Sequence, residues 1–292
     1  MAIDKQDFEF VRDLLRDRSG VALDVGKGYL VEARLTPVAE KAGFASIRDL
    51  VSQLRQGETD SLHAKVVEAL TTNETLFFRD VHPFHALSGS ILPELIEKRS
   101  TQRRLNVWCA AAASGQEPYS LAMVLAEHFS QLANWQVRLI ASDISDAVLE
   151  RAARGTYSQL EVNRGLPAPM LVKYFRQEGS DWQISDEIRR RVEFRNINLS
   201  EEWPPLPPMD VVFMRNVLIY FNPETKKTIL GKVRRILKPD GYLFLGSAET
   251  TINLDSEFKR VEFDRTVVYA LREPELSVTL PTCLAKRTRR TY

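Results

Sequence analysis

The sequence is poor in the residues that metal centres and disulfide frameworks need. Its 292 residues include two cysteines, Cys109 and Cys283, and four histidines. Two distant cysteines make no disulfide framework, which fits a reducing compartment. Cys109 sits in an apolar run and reads as a small buried hydrophobe. The histidines show no metal-ligand spacing, and His82 and His85, three apart, read as chance or capping, so no metal is expected. No run of about 18 apolar residues exists, which argues against membrane insertion. The opening MAIDKQDFEF lacks the apolar core of a signal peptide, so the expected location is cytoplasmic. Neither sign of charge is in surplus: 40 basic side chains face 39 acidic ones. That balance gives no electrostatic case for nucleic-acid binding, a local patch aside. A hydrophobic share of 44% is enough to build a large core without cross-links, and the length favours two domains.

Residues 1–70 lack strand alternation and read as a helical domain. Phe8, Val11, Leu14 and Leu15 recur at helical spacing up to Ser19-Gly20. Further helices are expected over Tyr29–Ala42, Ser46–Leu54 (Ser46 as N-cap, Asp49 three residues on) and His63–Leu70. Residues 71–82 form a linker. From there to residue 272 short apolar runs, Leu105–Cys109, Val137–Ala141, Val192–Phe194, Val211–Met214 and Tyr242–Leu245, alternate with helical patterns at Pro118–Phe129, Ala147–Arg154 and Pro223–Leu237. Such alternation predicts an α/β fold, a Rossmann-like parallel sheet with helices on both faces. Phe258–Phe263 and Thr266–Leu271, joined at Asp264-Arg265, predict an antiparallel final pair, as in the methyltransferase variant of that fold. Residues 157–191 read as a small β subdomain insertion, with a hairpin from Leu171–Phe175 and Trp182–Ile184. Lys238-Pro239-Asp240-Gly241 reads as a turn before a strand, and residues 273–292 as a disordered tail.

After the strand 105–109 comes a loop of small residues, Ala110 to Gln116. It either lets a ligand approach the backbone or serves tight strand-to-helix packing; it is not G-x-G-x-x-G. Glu117-Pro118 opens the next helix, and an acid there suits a cation better than a pyrophosphate. Asp143 ends the following strand, where an acid binds ribose hydroxyls or caps a helix; Asp146 is available for capping. Asn196-Ile197-Asn198-Leu199 is either an adenine-contacting loop or a polar turn. Arg215-Asn216-Val217-Leu218-Ile219-Tyr220-Phe221 follows a strand end, where ligands and chemistry gather.

The motifs T-T-N-E-T-L-F-F-R at 71–79, S-G-Q-E-P-Y-S at 114–120, A-S-D-I-S at 141–145, N-I-N-L at 196–199, R-N-V-L-I-Y-F at 215–221 and L-K-P-D-G-Y-L at 237–243 occur in this order. Together they resemble the CheR family, the chemotaxis-receptor glutamate methyltransferases, over residues 5–272. The resemblance implies S-adenosylmethionine as cofactor and S-adenosylhomocysteine as product. It implies cofactor contacts at Asn73, Thr75, Arg79, Glu117, Asp143, Asn198, Leu199, Arg215 and Asn216, and a substrate-side pair at Arg79 and Tyr220. It implies transfer of the sulfonium methyl to a receptor glutamate, giving a methyl ester. A carboxylate is ionised at neutral pH and attacks without a general base. The implied partner is the cytoplasmic helical region of methyl-accepting chemotaxis receptors.

The chain departs from the family pattern A-G-C-S-T-G-E-E-P-Y-S. Ala111, Ala112 and Ala113 replace Gly, Cys and Ser, and Gln116 replaces the first Glu. The insertion is short and lacks the Gly-rich extension of members that dock a receptor's C-terminal pentapeptide, so docking without it is expected. Lys27, Arg34 and Lys41, seven apart, either line a substrate-docking face or belong to a solvated one, since residues 1–70 hold 10 basic and 12 acidic side chains. Two other readings stand beside this one: a non-catalytic S-adenosylmethionine-binding signalling adaptor, and a class I methyltransferase of another protein substrate.

Overall fold

A computed structural model describes residues 3–57, 60–263 and 265–273. Residues 274–292 of the expected tail, Cys283 among them, and Asp264 of the expected hairpin turn lie outside the described residues.

The chain opens with helices α1 (Lys5–Ser19), α2 (Gly28–Lys41), α3 (Ile47–Arg55) and α4 (Asp60–Leu70). Helix α1 starts where the Asp4 carboxylate accepts the Asp7 N–H at 2.9 Å and stops at Gly20, whose φ of 72° an L side chain rarely adopts. Ser46 caps α3 as expected, accepting the Asp49 N–H at 3.2 Å. The apolar stripes of these helices close on one another through Val11, Leu15, Val31, Leu35, Leu50 and Val66, each buried. Helix α4 begins before the expected His63, and its first turn adds Leu62, four residues before Val66, to the same core.

Beyond the linker run α5 (His82–Ala86), a π-helical turn (Leu87–Ile91) and α6 (Leu92–Lys98). The strands are β1 (Arg104–Ala110), β2 (Gln136–Asp143), β3 (Thr156–Ser158), β4 (Phe175–Glu178), β5 (Asp181–Ile184), β6 (Val192–Asn196), β7 (Met209–Met214), β8 (Leu237–Leu245), β9 (Phe258–Phe263) and β10 (Thr266–Leu271). Between them lie α7 (Gln116–His128), α8 (Asp146–Arg154), α9 (Gln159–Asn163), α10 (Ala168–Tyr174), α11 (Asp186–Arg189) and α12 (Pro223–Ile236).

The main sheet has the order β6-β2-β1-β7-β8-β10-β9. It is parallel up to β8; β10 then runs antiparallel to both β8 and β9. This is the expected Rossmann-like sheet with antiparallel final strands. β7 is buried along its whole length, as a central parallel strand covered on both faces must be. Alternate residues feed two cores: Val107, Cys109, Val211 and Phe213 on one face, Trp108, Ala110, Val212 and Met214 on the other. The order reverses between β1 and β7, and the carboxyl ends of those strands frame a crevice.

Two local expectations are corrected. Residues 238–241 do not precede β8 as a turn; they bulge within it, between the pairings Met209–Leu237 and Val211–Tyr242. The bulge carries Asp240 to Arg99, whose guanidinium also reaches the buried Asp210 at 2.8 Å. Gly241 permits the approach, since a Cβ there would stand 3.0 Å from the Asp210 carbonyl oxygen. The second correction concerns Leu171–Tyr174, which end a helix rather than form a strand. The insertion is a three-stranded antiparallel sheet, β3-β5-β4, whose hairpin joins β4 and β5.

Candidate active site

The crevice opens into a cleft enclosing about 910 Å³, mouth included. The residues whose cofactor or substrate roles rested on the resemblance, Asn73, Thr75, Arg79, Glu117, Asp143, Asn198, Leu199, Arg215, Asn216 and Tyr220, all line it. They come from the loops after four strands and from the linker, which the strand order brings to one end of the sheet.

Arg215, at the end of β7, is the hinge of the arrangement; its side chain is 1% exposed. One terminal nitrogen donates to Glu117 Oε1 at 2.5 Å. The other donates to Asp80 Oδ2 at 2.6 Å and to the Arg79 carbonyl at 3.0 Å. The cation in contact with Glu117 is thus a side chain of the protein, and a bound ligand would share that carboxylate. Cys109 contributes more than bulk: its thiol donates to Glu117 Oε2 at 3.3 Å, and burial, with Glu117 beside it, holds the thiol well above its ordinary pKa.

The linker motif is locked to the sheet from both sides. The Phe78 N–H donates to Ser120 Oγ at 3.0 Å, and that hydroxyl donates to the Gln116 carbonyl, so the motifs at 71–79 and 114–120 share a hydrogen-bonded joint. Phe77 is fully buried against the edges of Tyr157 and Phe175 of the insertion. Phe78, Asp80 and Val81 all have positive φ, and for a β-branched residue such as Val81 this is strained backbone.

Asp143 is buried at the end of β2. Its carboxylate accepts the Ala113 N–H at 2.9 Å and the Ser145 N–H at 3.2 Å, while the N-cap of α8 is Ser145. Burial pushes the Asp143 carboxyl above the usual carboxylate range, against the pull of those N–H donors. Asp146, the alternative cap, accepts from Asn196 instead. In the loop after β1, Ala111 and Ala113 have φ of 55° and 46°, so alanine occupies backbone that suits glycine.

The helical domain closes the remaining wall. Ser19, Val21 and Leu70 to Thr72 line the cleft. Val21 pairs with Phe221 as an isolated antiparallel bridge, and the Ala22 N–H donates to the Tyr220 carbonyl at 2.8 Å. Asn198 spends its side-chain amide on the loop, donating to the Arg18 carbonyl and accepting from Ser200. Of the basic residues considered for docking, Arg34 holds the linker, donating to the carbonyls of Leu70 and Thr71 and to Thr72 Oγ1. Lys27 pairs with Asp24 at 3.1 Å, and Lys41 is exposed at the end of α2. The structure does not bring the three together as one free cationic face.

Four contributors escaped sequence reasoning. Asp80 directly follows the motif and was within reach of it. Glu249 accepts the N–H groups of Asn216, Gly246 and Ile219, fixing the loop after β7; an acid just past a strand end was its only signal. Ser19 and Val21 meet the cleft only through tertiary packing.

S-adenosylmethionine fits these residues. Glu117 and Asp143 give the cleft acceptors for cationic and hydroxyl groups, and the buried Arg215 Nε has no protein partner among the described residues. The chain matches the model of the CheR methyltransferase SAM-binding domain over residues 73–267 and that of the CheR methyltransferase all-alpha domain over residues 6–71. It is 42% identical over 274 residues, 92% of this chain and 99% of the relative, to chemotaxis protein methyltransferase 1 of Pseudomonas aeruginosa. It is 39% identical over the same shares to chemotaxis protein methyltransferase Cher2 of Pseudomonas putida. With the chemotaxis protein methyltransferase of Vibrio parahaemolyticus the identity is 36% over 275 residues, 93% of this chain and 99% of the relative. The chain, with its Rossmann-like sheet, its carboxylate-lined cleft and both family domains in order, belongs to the CheR methyltransferase family and uses S-adenosylmethionine.

Proposed function

We propose that this protein methylates glutamate side chains of methyl-accepting chemotaxis receptors, forming glutamyl methyl esters and releasing S-adenosylhomocysteine. The observation that carries the reading is that Arg79 and Tyr220, a guanidinium fork and a phenolic O–H that can both donate to a carboxylate, line the same cleft. A carboxylate nucleophile needs no base to deprotonate it, whereas an amine or hydroxyl acceptor does. The names of the relatives support the same reading.

Bound S-adenosylmethionine supplies a methyl group activated on a sulfonium. In this reading Asp143 takes the ribose hydroxyls, and Glu117, steadied by Arg215 and Cys109, takes the ammonium end. Asn73, Thr75, Arg79, Asn198, Leu199, Arg215 and Asn216 complete the cofactor's contacts. Arg79 receives the acceptor carboxylate through its fork of N–H donors and Tyr220 adds one O–H. One guanidinium aims the nucleophile without surrounding it with charge, so catalysis rests on positioning and partial desolvation. The acceptor is the helical cytoplasmic region of the receptor, and the protein acts in the cytoplasm. The hairpin between β4 and β5 turns within Gly179-Ser180, which leaves little to dock a receptor pentapeptide. The domains act as units: 1–70 and 83–272, with 71–82 joining them.

Incubation with methyl-labelled cofactor and receptor cytoplasmic fragments tests the reading. Base-labile label released as methanol is expected. Base-stable label would point to a different acceptor, and tight cofactor binding without transfer would make the protein a signalling adaptor.

A further inference from the structure

Arg215 lines a second cavity as well as the cofactor cleft. This cavity encloses about 1030 Å³, mouth included, at the carboxyl end of β8 and the start of β10. It therefore lies outside the same end of the sheet as the cleft, where ligands of such sheets bind. The ion pairs Glu117–Arg215–Asp80 run from one space to the other, since Glu117 faces the first and Asp80 the second.

The chemistry of the second cavity is cationic. Arg260 and Arg265 line it, with the hydroxyls of Ser247 and Thr250. The two carboxylates facing it are already engaged: Asp80 holds Arg215 at 2.6 Å, and Glu249 accepts three backbone N–H groups. Arg260 pairs with Glu262 at 3.1 Å, but both side chains are more than half exposed, so this pair exchanges readily for another. Ile252 adds an apolar spot that is 59% exposed.

We propose that this cavity binds the part of the protein acceptor flanking the methylated glutamate: an acidic, amphipathic segment whose carboxylates meet Arg260 and Arg265 and whose apolar face meets Ile252. The inference rests on the reading that the acceptor is a carboxylate-rich receptor segment. It assigns selection of the flank to the β8–β10 end of the sheet, separate from Arg79 and Tyr220, which take the reacting side chain.

The test uses the full chain loaded with S-adenosylhomocysteine and a fluorescent glutamate-rich peptide from a receptor methylation region, titrated by anisotropy. The double variant Arg260→Gln/Arg265→Gln is expected to bind the peptide about fivefold more weakly and to lose most of the salt dependence seen in the wild type. Its S-adenosylhomocysteine affinity should not change, and its turnover of the peptide should show a raised KM at unchanged kcat. Equal peptide affinity with an equal salt slope, no peptide binding by the wild type, or a parallel loss of S-adenosylhomocysteine binding would each overturn the proposal. If the wild type makes no ester on the peptide, the receptor reading falls, and the titration still decides whether the cavity holds an acidic chain.

Discussion

Replacing Ala111 with glycine is expected to stabilise the protein. An L side chain held in left-handed backbone costs about 1–2 kcal/mol, and the greater freedom of glycine in the unfolded chain returns about 0.5–1 of it, leaving a net gain of about 0.5–1 kcal/mol. A raised denaturation midpoint would show it; a lowered one would mean that the Ala111 methyl packs usefully. At Asp143, replacement by alanine is expected to weaken S-adenosylhomocysteine binding about tenfold to a hundredfold, the scale of hydrogen bonds to a charged group. Calorimetry reads this directly, and an unchanged Kd would remove Asp143 from ribose recognition. On the substrate side, Arg79→Ala should lower kcat about a hundredfold and Tyr220→Phe about tenfold, with cooperative unfolding retained. Wild-type rates in both variants would take them out of the mechanism.

At the level of elements, the insertion and the linker motif stand or fall together. Gly165, at φ 90°, passes so close to Phe77 that an added Cβ would meet its backbone carbonyl oxygen at 2.1 Å. Backbone cannot swing aside as a long side chain does. Gly165→Ala is therefore expected to cost about 3 kcal/mol, read as a fall in melting temperature, and to weaken cofactor binding because the 71–79 segment must shift. A stability loss with unchanged cofactor affinity would show that the motif absorbs the displacement. The same elements mark what the sequence alone makes legible. The helices of the first domain stand out because each buries a face of regular period, and the strands β1, β2, β7 and β10 because each is a short apolar run buried over most of its length. The short apolar run Leu171–Tyr174 has no period long enough to separate strand from helix, and its packing beside the insertion decides for helix. The P-D-G signal at 239–241 does mark irregular backbone. It becomes a bulge rather than a turn because Arg99, more than a hundred positions earlier in the chain, holds Asp240 and Asp210 together. The motif residues were legible because one family repeats them in one order; Glu249 was not, because it acts only on backbone N–H groups.

At the scale of the whole molecule, the Arg99–Asp210–Asp240 cluster ties the end of α6 to the amino-terminal parts of β7 and β8, at the end of the sheet opposite the cleft. The hydrogen bond from Arg99 holds the Asp240 carboxyl below its ordinary value of 3.8. A carboxyl lowered by folding contributes stability that is present above the unfolded value and is lost as pH falls through the folded one. Asp240→Asn should therefore melt below the wild type at neutral pH, with the gap narrowing only below pH 3.8. A gap that closed near pH 6 would assign the effect to some other group. The helical domain is joined to the rest by more than its linker: Val21 lies against Phe221, Ala22 binds the Tyr220 carbonyl, and Asn198 binds that of Arg18. A chimaera between two relatives joined at residue 70 would therefore set one parent's residues 18–22 against the other parent's 198–200 and 220–221. The unit that recombination can exchange without reshaping the cleft is discontinuous in the gene, so covariation across about 200 positions is to be looked for at this bridge.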